Sequence, residues 1–473
     1  MTELRLAFAL IIPLLAGWTA LCLLVPLSGK GLGDQFPAHR TMPVLERFSV
    51  GYGLGTGILT TTMLLLGLLG MPLTLPIVSM ATAGLILLMG IEAVRRKVRL
   101  WPVAEPRRWG AHLRIELVRR RPSAGMVLEI LLAVGLLYRL VMVWAEVFLR
   151  PVFAWDAFTY WSLYAKVLFV EKQLPSQSYQ ITATGSLSSH PLHVIFLQDW
   201  FGLALDQWND VLINVPFAAY YTALILIIYF GLRRSQSRLF ALLFAFLASS
   251  LPLLVTHAGV AQGDLPVAYY ATAASIYLGH WVTNRRVGFL VLSLVLAVLA
   301  AWTKAIGILV LVIILALLVL WVIRDGQVRA WRRLMRYVIP PVAALAAAFI
   351  VLRLASFPLP VSLAQRFAFQ PDVIELYVRS LLMGGSWGIT WGVFLLVTVI
   401  CWRSLWSPRI FYAFLFTWTG VIAFLGIYLF LPQYHENMLN GTLLDRNTLT
   451  FAPASVYCMG LAIAERLRRS PGR

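Results

Sequence analysis

Charge is what this sequence has least of. Charged residues fill 12% of its 473 positions, where a globular domain carries about a quarter. Hydrophobic residues make up 60%. That imbalance excludes a single aqueous core, because a chain this apolar cannot hide so much surface from water. Cysteine is scarce as well. Cys22, Cys401 and Cys458 lie in or beside apolar runs, far apart and without a CxxC spacing. They exclude a disulfide framework and a thiolate zinc site. No glycine-rich phosphate-cradling loop follows a strand. There is also no solenoid-period repeat, no low-complexity tract and no long soluble domain.

What the chain does have is apolar runs near the 20 residues that cross a bilayer core. Thirteen can be read, at 5–26, 48–70, 72–94, 124–148, 210–231, 238–257, 264–283, 287–303, 306–323, 337–356, 380–402, 410–431 and 447–465. They predict an all-α, polytopic transmembrane bundle. The runs across 264–323 join so tightly that one re-entrant span is an alternative. The first run is too long for a cleaved signal peptide and lacks a basic n-region and an A-x-A-like site.

The net charge of +19 gathers in short loops. These are 95–121, 233–238, 284–286, 324–336, 402–409 and the tail ERLRRSPGR. The positive-inside rule places them in the cytoplasm, and thirteen spans put all six on one side. The basicity is therefore topogenic and suited to anionic lipid, and nucleic acid is not an expected partner. The loops assigned to the opposite face are 27–47, 149–209, 258–263, 303–305, 357–379 and 432–446.

Loop 149–209 is the longest, and loops beyond about 15 residues are usually functional. It opens RPVFAWDAFTYWSLYAKVLF. Residues 155–169 suit a helix in which Asp156, Tyr160 and Tyr164 share one face at i, i+4 and i+8. Phe158, Trp161, Ala165 and Leu168 form the apolar face. Tryptophan and tyrosine favour the headgroup level, so the segment reads as an amphipathic helix on the outer membrane surface. There it would hold Asp156 where headgroups meet water. The plainer reading is an interfacial anchor with an incidental carboxylate.

Other polar intrusions fall on the same face. SLSSHPLHVIFLQDW carries His190, His193, Gln198 and Asp199. HxxH on a helix can ligate a metal, but Pro191 makes the segment extended or helix-starting. Histidines lining a polar pocket, or satisfying local hydrogen bonds, are the alternative. Asp264 opens a span, where the helix dipole stabilises a carboxylate. It is either a cap or a second acid facing the cavity of Asp156. Lys304 ends a span. It either snorkels or binds an anion, since a charge at the bilayer centre costs roughly 2.5–3.5 kcal/mol. PQYHENMLNGTLLDRNTLTFAP supplies His435, Glu436, Asp445 and Arg446. The Arg446 guanidinium suits a phosphate, and pairing with Asp445 or Glu436 is its plainer reading. Asn440-Gly441-Thr442 matches a glycosylation acceptor.

Two acids in different settings, a lysine, an arginine, histidines and aromatics fit sugar transfer from a lipid-linked phosphate. One carboxylate serves as general base for an acceptor hydroxyl. Cations stabilise the departing phosphate, aromatics stack on sugar, and apolar spans groove the prenyl tail. RLVMVWAEVFLRPVFAWDAFTYWSLYAKVL, SSHPLHVIF, QGDLPVAYYATA and WTKAIGILV together resemble the GT-C superfamily of integral-membrane glycosyltransferases. The similar branch holds aminoarabinose transferases to lipid A, protein O-mannosyltransferases and related bacterial enzymes. The resemblance covers about 130–323, with hydropathy alone beyond.

The resemblance implies that Asp156 is the catalytic base and that Asp264 shapes the donor or acceptor site. Lys304 and Arg446 are candidates for the lipid phosphate, with His190, His193, Tyr160 and His435 as further substrate-binding candidates. It also implies an inverting displacement from a polyprenyl-phosphate sugar to a hydroxyl on a glycan, lipid A, another glycolipid or a protein. The expected place is the bacterial inner membrane, with the site facing the periplasm and the C-terminus in the cytoplasm. Two departures stand out. Asp156-Ala157 replaces the acidic pair of many relatives, and extra spans fill 1–94. No cofactor is implied with certainty, and a divalent metal stays open. The expected organisation is accessory helices at 1–94, a basic loop at 95–123, a catalytic core at 124–356 and C-terminal helices at 357–473. Rival readings are a transporter or lipid-linked glycan flippase, a polysaccharide polymerase or ligase using outer arginines and a late-loop histidine, and a non-catalytic scaffold.

Overall fold

The structure is a computed structural model. It describes residues 1–26, 42–101, 123–174, 190–324, 331–354, 367–432, 438–439 and 443–469. Among these every regular element is helical. In chain order the main helices are α1 (Thr2–Leu24), α2 (Val44–Leu68), α3 (Leu75–Arg95), α4 (Ala124–Leu149), α5 (Ser162–Glu171), α6 (His193–Leu205), α7 (Val215–Arg233), α8 (Arg238–Ser249) and α9 (Pro252–Ala258). They continue with α10 (Asp264–Asn284), α11 (Val287–Thr303), α12 (Gly307–Arg324), α13 (Trp331–Leu354), α14 (Asp372–Met383), α15 (Thr390–Ile400), α16 (Pro408–Phe430), α17 (Leu444–Thr448) and α18 (Ala452–Arg469).

The all-α membrane bundle expected from the apolar runs is therefore present, and each run holds helix. The count of thirteen spans is a separate matter. Among the described residues seven helices are long and apolar enough to cross a membrane, or eight if α8 and α9 form one bent span. The others fall short for visible reasons. α10 is buried from Asp264 through Val282. It meets protein and not lipid, so it carries Tyr, Thr, Ser and His without penalty. The 380–402 run is interrupted, because α14 ends at Met383 and α15 begins at Thr390. Gly384, Gly385 and Gly388 lie between, and Gly388 takes φ +54°, which suits a residue without a β-carbon. The tight joints at 264–323 hold three successive helices, not a re-entrant segment. The sharp break lies instead between α8 and α9, at 71°. There Pro252 forces Leu251 into an extended conformation.

The N-terminal helices are built into the bundle. A β-carbon on Gly55 of α2 would collide with the Pro13 carbonyl of α1, and one on Gly17 would collide with the Gly51 carbonyl. Small residues here let two backbones touch, the usual device of membrane helix pairs. On its other side α2 meets a tyrosine cluster. Thr56 Oγ1 lies 2.5 Å from the Tyr220 hydroxyl, and the Tyr269 hydroxyl donates to the Ser49 carbonyl at 2.7 Å.

One loop assignment is overturned. Segment 27–47 was placed opposite the basic loops, yet Glu46 pairs with Arg234 at 2.6 Å, inside the basic 233–238 loop. The other end of α1 agrees, since Arg5 donates to the Leu205 carbonyl at 2.8 Å, in the long outer loop. The physical reason is parity: a chain entering from the outer face and crossing once puts residue 46 on the basic side. At this end Arg234 holds both carboxylate oxygens of Glu46, at 2.6 and 2.7 Å. Tyr277 donates to Glu46 at 2.8 Å, and Arg234 shares a 2.9 Å hydrogen bond with His280.

The opening segment of the long loop is helical but does not lie over the surface as a simple amphipathic helix. Ala157–Trp161 form a π-turn that runs into α5. A π-turn takes in more residues than an α-turn, so faces counted at i, i+4 and i+8 fall out of phase. Tyr164, expected beside Asp156, is 2% exposed, while Phe158, expected on the apolar face, is 46% exposed. Trp161, Ala165 and Leu168 are buried as expected, but against protein.

Candidate active site

Four charged side chains from four separate elements meet at the N-terminal end of α10. Asp264 is its first residue and is 1% exposed at the side chain. Lys304 Nζ donates to Asp264 Oδ1 at 2.5 Å, and Arg446 Nη2 donates to Asp264 Oδ2 at 3.0 Å. Arg446 also donates through Nη1 to Asp156 Oδ2. Each contributor is held by its own local structure. Lys304 is extended, at φ −153° and ψ 148°, which ends α11 and turns its side chain back toward α10. Asp156 is the residue directly before the π-turn and already has helical backbone angles, φ −63° and ψ −29°. Arg446 lies on the short α17, whose preceding residue Asp445 accepts hydrogen bonds from Ser380 and Ser386. Those two serines pin α17 to the α14–α15 connection.

The arrangement shows which charged groups each of these residues meets. Arg446 does not pair with Asp445. Asp264 is more than a helix cap, because two cations occupy its two oxygens. Lys304 does not snorkel, since its side chain is 6% exposed. Burial works against the charge on Arg446, but Asp264 and Asp156 outweigh it and hold the guanidinium above its ordinary pKa. Asp156 differs from the other three. Its side chain is 43% exposed, so one carboxylate of the group stays open to an incoming molecule.

Aromatics wall this group. Trp161 stacks on His190 with ring centroids 4.9 Å apart and planes 4° from parallel. Tyr160 meets His190 edge-on at 5.6 Å. A β-carbon on Gly263 would stand 3.1 Å from Trp161 Cη2, so the indole fixes the loop that delivers Asp264. Gln198 ties the same parts together. It accepts from Ser162 Oγ at 2.7 Å, and its amide lies 3.5 Å from the Ala261 carbonyl. His190 and Tyr160 thus stand in the wall beside Asp156.

His193 lies elsewhere. It is fully buried in the tyrosine cluster, 2.8 Å from Thr60 Oγ1 and 3.0 Å from the Tyr220 hydroxyl. With both ring nitrogens engaged, it has the surroundings of a core histidine. His435 and Glu436 lie outside the described residues, as does the Asn440-Gly441-Thr442 motif. Among the described residues no three His, Cys, Asp or Glu side chains gather as a metal-binding group.

Two residues that sequence reasoning did not single out join the site. His257 and Gln262 are buried in the stretch leading to Asp264, and among the described residues His257 Nδ1 and Gln262 Oε1 have no hydrogen-bond partner. His257 lies within electrostatic reach of Asp264, Arg446, Lys304 and Asp156. The signal was present in THAGVAQGD, where polar letters interrupt an apolar stretch. Ser380 and Ser386 had no such signal.

The architecture is a polytopic helical bundle with an acid in the loop after α4 and a second acid opening α10. It is the all-α membrane-bundle architecture expected from the sequence. Among solved structures it is similar to ArnT from Cupriavidus metallidurans. The apo form matches with a TM-score of 0.51 and 16% identity, over 70% of this chain and 59% of ArnT. The form bound to undecaprenyl phosphate matches at 0.53 and 16%, over 70% and 60%. The match thus takes in less than two thirds of the ArnT chain, and identity this low is a likeness of fold. No protein-family model and no curated protein matches the sequence.

Proposed function

We propose that the chain is a membrane glycosyltransferase that moves a sugar from a polyprenyl-phosphate carrier to a hydroxyl acceptor. The observation that carries this reading is the four-residue group itself, with two cations and one accessible carboxylate at the outer end of the bundle. The ArnT fold, seen elsewhere with undecaprenyl phosphate bound, supports the choice of carrier. Asp156 is the general base. It takes the proton of the acceptor hydroxyl as the oxygen bonds to the sugar's anomeric carbon. The bond from that carbon to the phosphate oxygen breaks, and the electron pair leaves on the phosphate. A single displacement of this kind inverts the anomeric centre.

Lys304 and Arg446 receive the charge that grows on the phosphate, the usual role of preorganised cations. Asp264 is a positioning residue, because with both oxygens held by cations it has none free for a substrate proton. His257, Gln262, Tyr160 and His190 surround the sugar, and His193 stays in the core. The acceptor is a glycan, lipid A, another glycolipid or a protein. The site faces the periplasm of a bacterial inner membrane, and the C-terminus is cytoplasmic.

The test supplies radiolabelled polyprenyl-phosphate sugars and a membrane extract to purified wild type and to Asp156→Asn. Transfer by wild type alone is expected. Equal transfer by both removes Asp156 as the base, and no transfer by wild type from any such donor removes the function.

A further inference from the structure

At the opposite end of the bundle the chain carries a second concave basic site that sugar transfer does not use. A cavity of about 470 Å³ opens between the α15–α16 connection and the last turn of α18. Arg403, Arg466 and Arg469 line it together with Trp402, over a floor of Cys401 and Ser404, and among the described residues no carboxylate lines it. Glu465, on the same helix, is engaged by Arg469 at 2.9 Å. Backbone contacts fix the basic wall. Arg466 donates to the Ile400 carbonyl, and Arg469 donates to the Arg403 carbonyl at 3.1 Å. Arg403 and Trp402 are exposed at the rim, the guanidinium carbon 5.6 Å from the indole ring.

We propose that this cavity binds the phosphate headgroup of an anionic phospholipid. Arg403 and Arg466 carry no ion pair among the described residues while Arg469 is held by Glu465, so the three leave an excess of positive charge that favours an anion, and guanidinium forks match phosphate oxygens. Two observations favour a lipid over a free phosphate. Leu396, Val399 and Ile400 of α15 are exposed and run up to the cavity, which gives an acyl chain an apolar track. The exposed rim Trp402, with Trp406 exposed close by, is of the type that settles at headgroup level. Basic pockets between membrane helices take anionic headgroups on this physical ground.

The test follows the thermal unfolding midpoint of the purified full chain in detergent. The additives are phosphatidylglycerol, phosphatidylcholine with the same acyl chains, and inorganic phosphate. Phosphatidylglycerol should raise the midpoint by several degrees, phosphatidylcholine should not, and inorganic phosphate should give at most a small part of the rise. Arg403→Gln/Arg466→Gln should abolish the rise, while Arg238→Gln, at an exposed arginine outside the cavity, should keep it. If the double variant does not fold, Arg403→Gln alone tests the same point at a rim side chain, and it should weaken the rise. An equal rise with phosphatidylcholine, or a full rise in the arginine variants, means that the charge serves topology alone and overturns the proposal. A full rise with inorganic phosphate makes it a free-phosphate site and overturns the lipid.

Discussion

Helix α10 carries an ionic cluster at each end, and the two are built differently. At the basic end Arg234 spans both oxygens of Glu46, at 2.6 and 2.7 Å, and Tyr277 adds a third hydrogen bond at 2.8 Å. Glu46 is fully buried. At the outer end Asp264 is equally saturated, but the group does not close. Asp156 stays partly exposed, and among the described residues His257 Nδ1, Gln262 Oε1 and Arg446 Nε have no hydrogen-bond partner. Native proteins satisfy the great majority of buried polar atoms. One cluster therefore joins helices, while the other holds unspent hydrogen-bonding capacity next to an open carboxylate. Charge alone does not mark a site; charge with capacity to spare does.

The largest effect that would sharpen this contrast is expected at Asp156. Asp156→Asn should lower sugar transfer by about 10²–10⁴-fold, the range for loss of a general base, with the thermal midpoint held near wild type. A large loss of stability would make the outer cluster structural as well. Glu46→Gln should do the reverse. It leaves Arg234 buried without its counter-charge, at a cost of about 3–5 kcal/mol, readable by chemical or thermal unfolding. Transfer per folded molecule should stay unchanged, and a specific loss of turnover would break the comparison.

A smaller effect concerns competition. Asp156 and a carrier phosphate would share the Arg446 guanidinium, so Asp156→Asn should bind undecaprenyl phosphate more tightly. A partly exposed ion pair is worth up to about 1 kcal/mol, which corresponds to roughly two- to fivefold in affinity by calorimetry. Weaker binding would mean that Asp156 orients Arg446 for the phosphate and does not compete with it. The smallest effect is expected for Tyr277→Phe. It removes one buried hydrogen bond and should cost about 1 kcal/mol of stability with no change in transfer.

Asp156, Asp264, Lys304 and Arg446 were legible in the sequence because each is a charge at the edge of an apolar run on one side of the bundle. Their mutual pairing was not. Arg446 and Asp156 are 290 residues apart, and no local pattern encodes a meeting at that separation. The same limit hid Ser380 and Ser386, whose hydroxyls place Arg446 through Asp445. His193 shows the opposite difficulty. HxxH reads alike whether its second histidine opens into a cavity or sits among tyrosines, and only the position of α2 and α7 decides. The π-turn at 157–161 was invisible because the face of a helix is counted on an assumed pitch. The side of segment 27–47 followed from parity across the first span, a count that the loop's own composition did not reveal.

The glycine contacts between α1 and α2 also bear on any attempt to trim the molecule. With Gly55 against Pro13 and Gly17 against Gly51, the first two helices form a wedge whose far side supplies Thr56 and Thr60 to Tyr220 and His193. A shortened version starting after residue 94 would lose Thr56 and Thr60 and leave the Tyr220 hydroxyl and the His193 Nδ1 without those partners. Removing the first two helices should therefore destabilise the rest of the bundle.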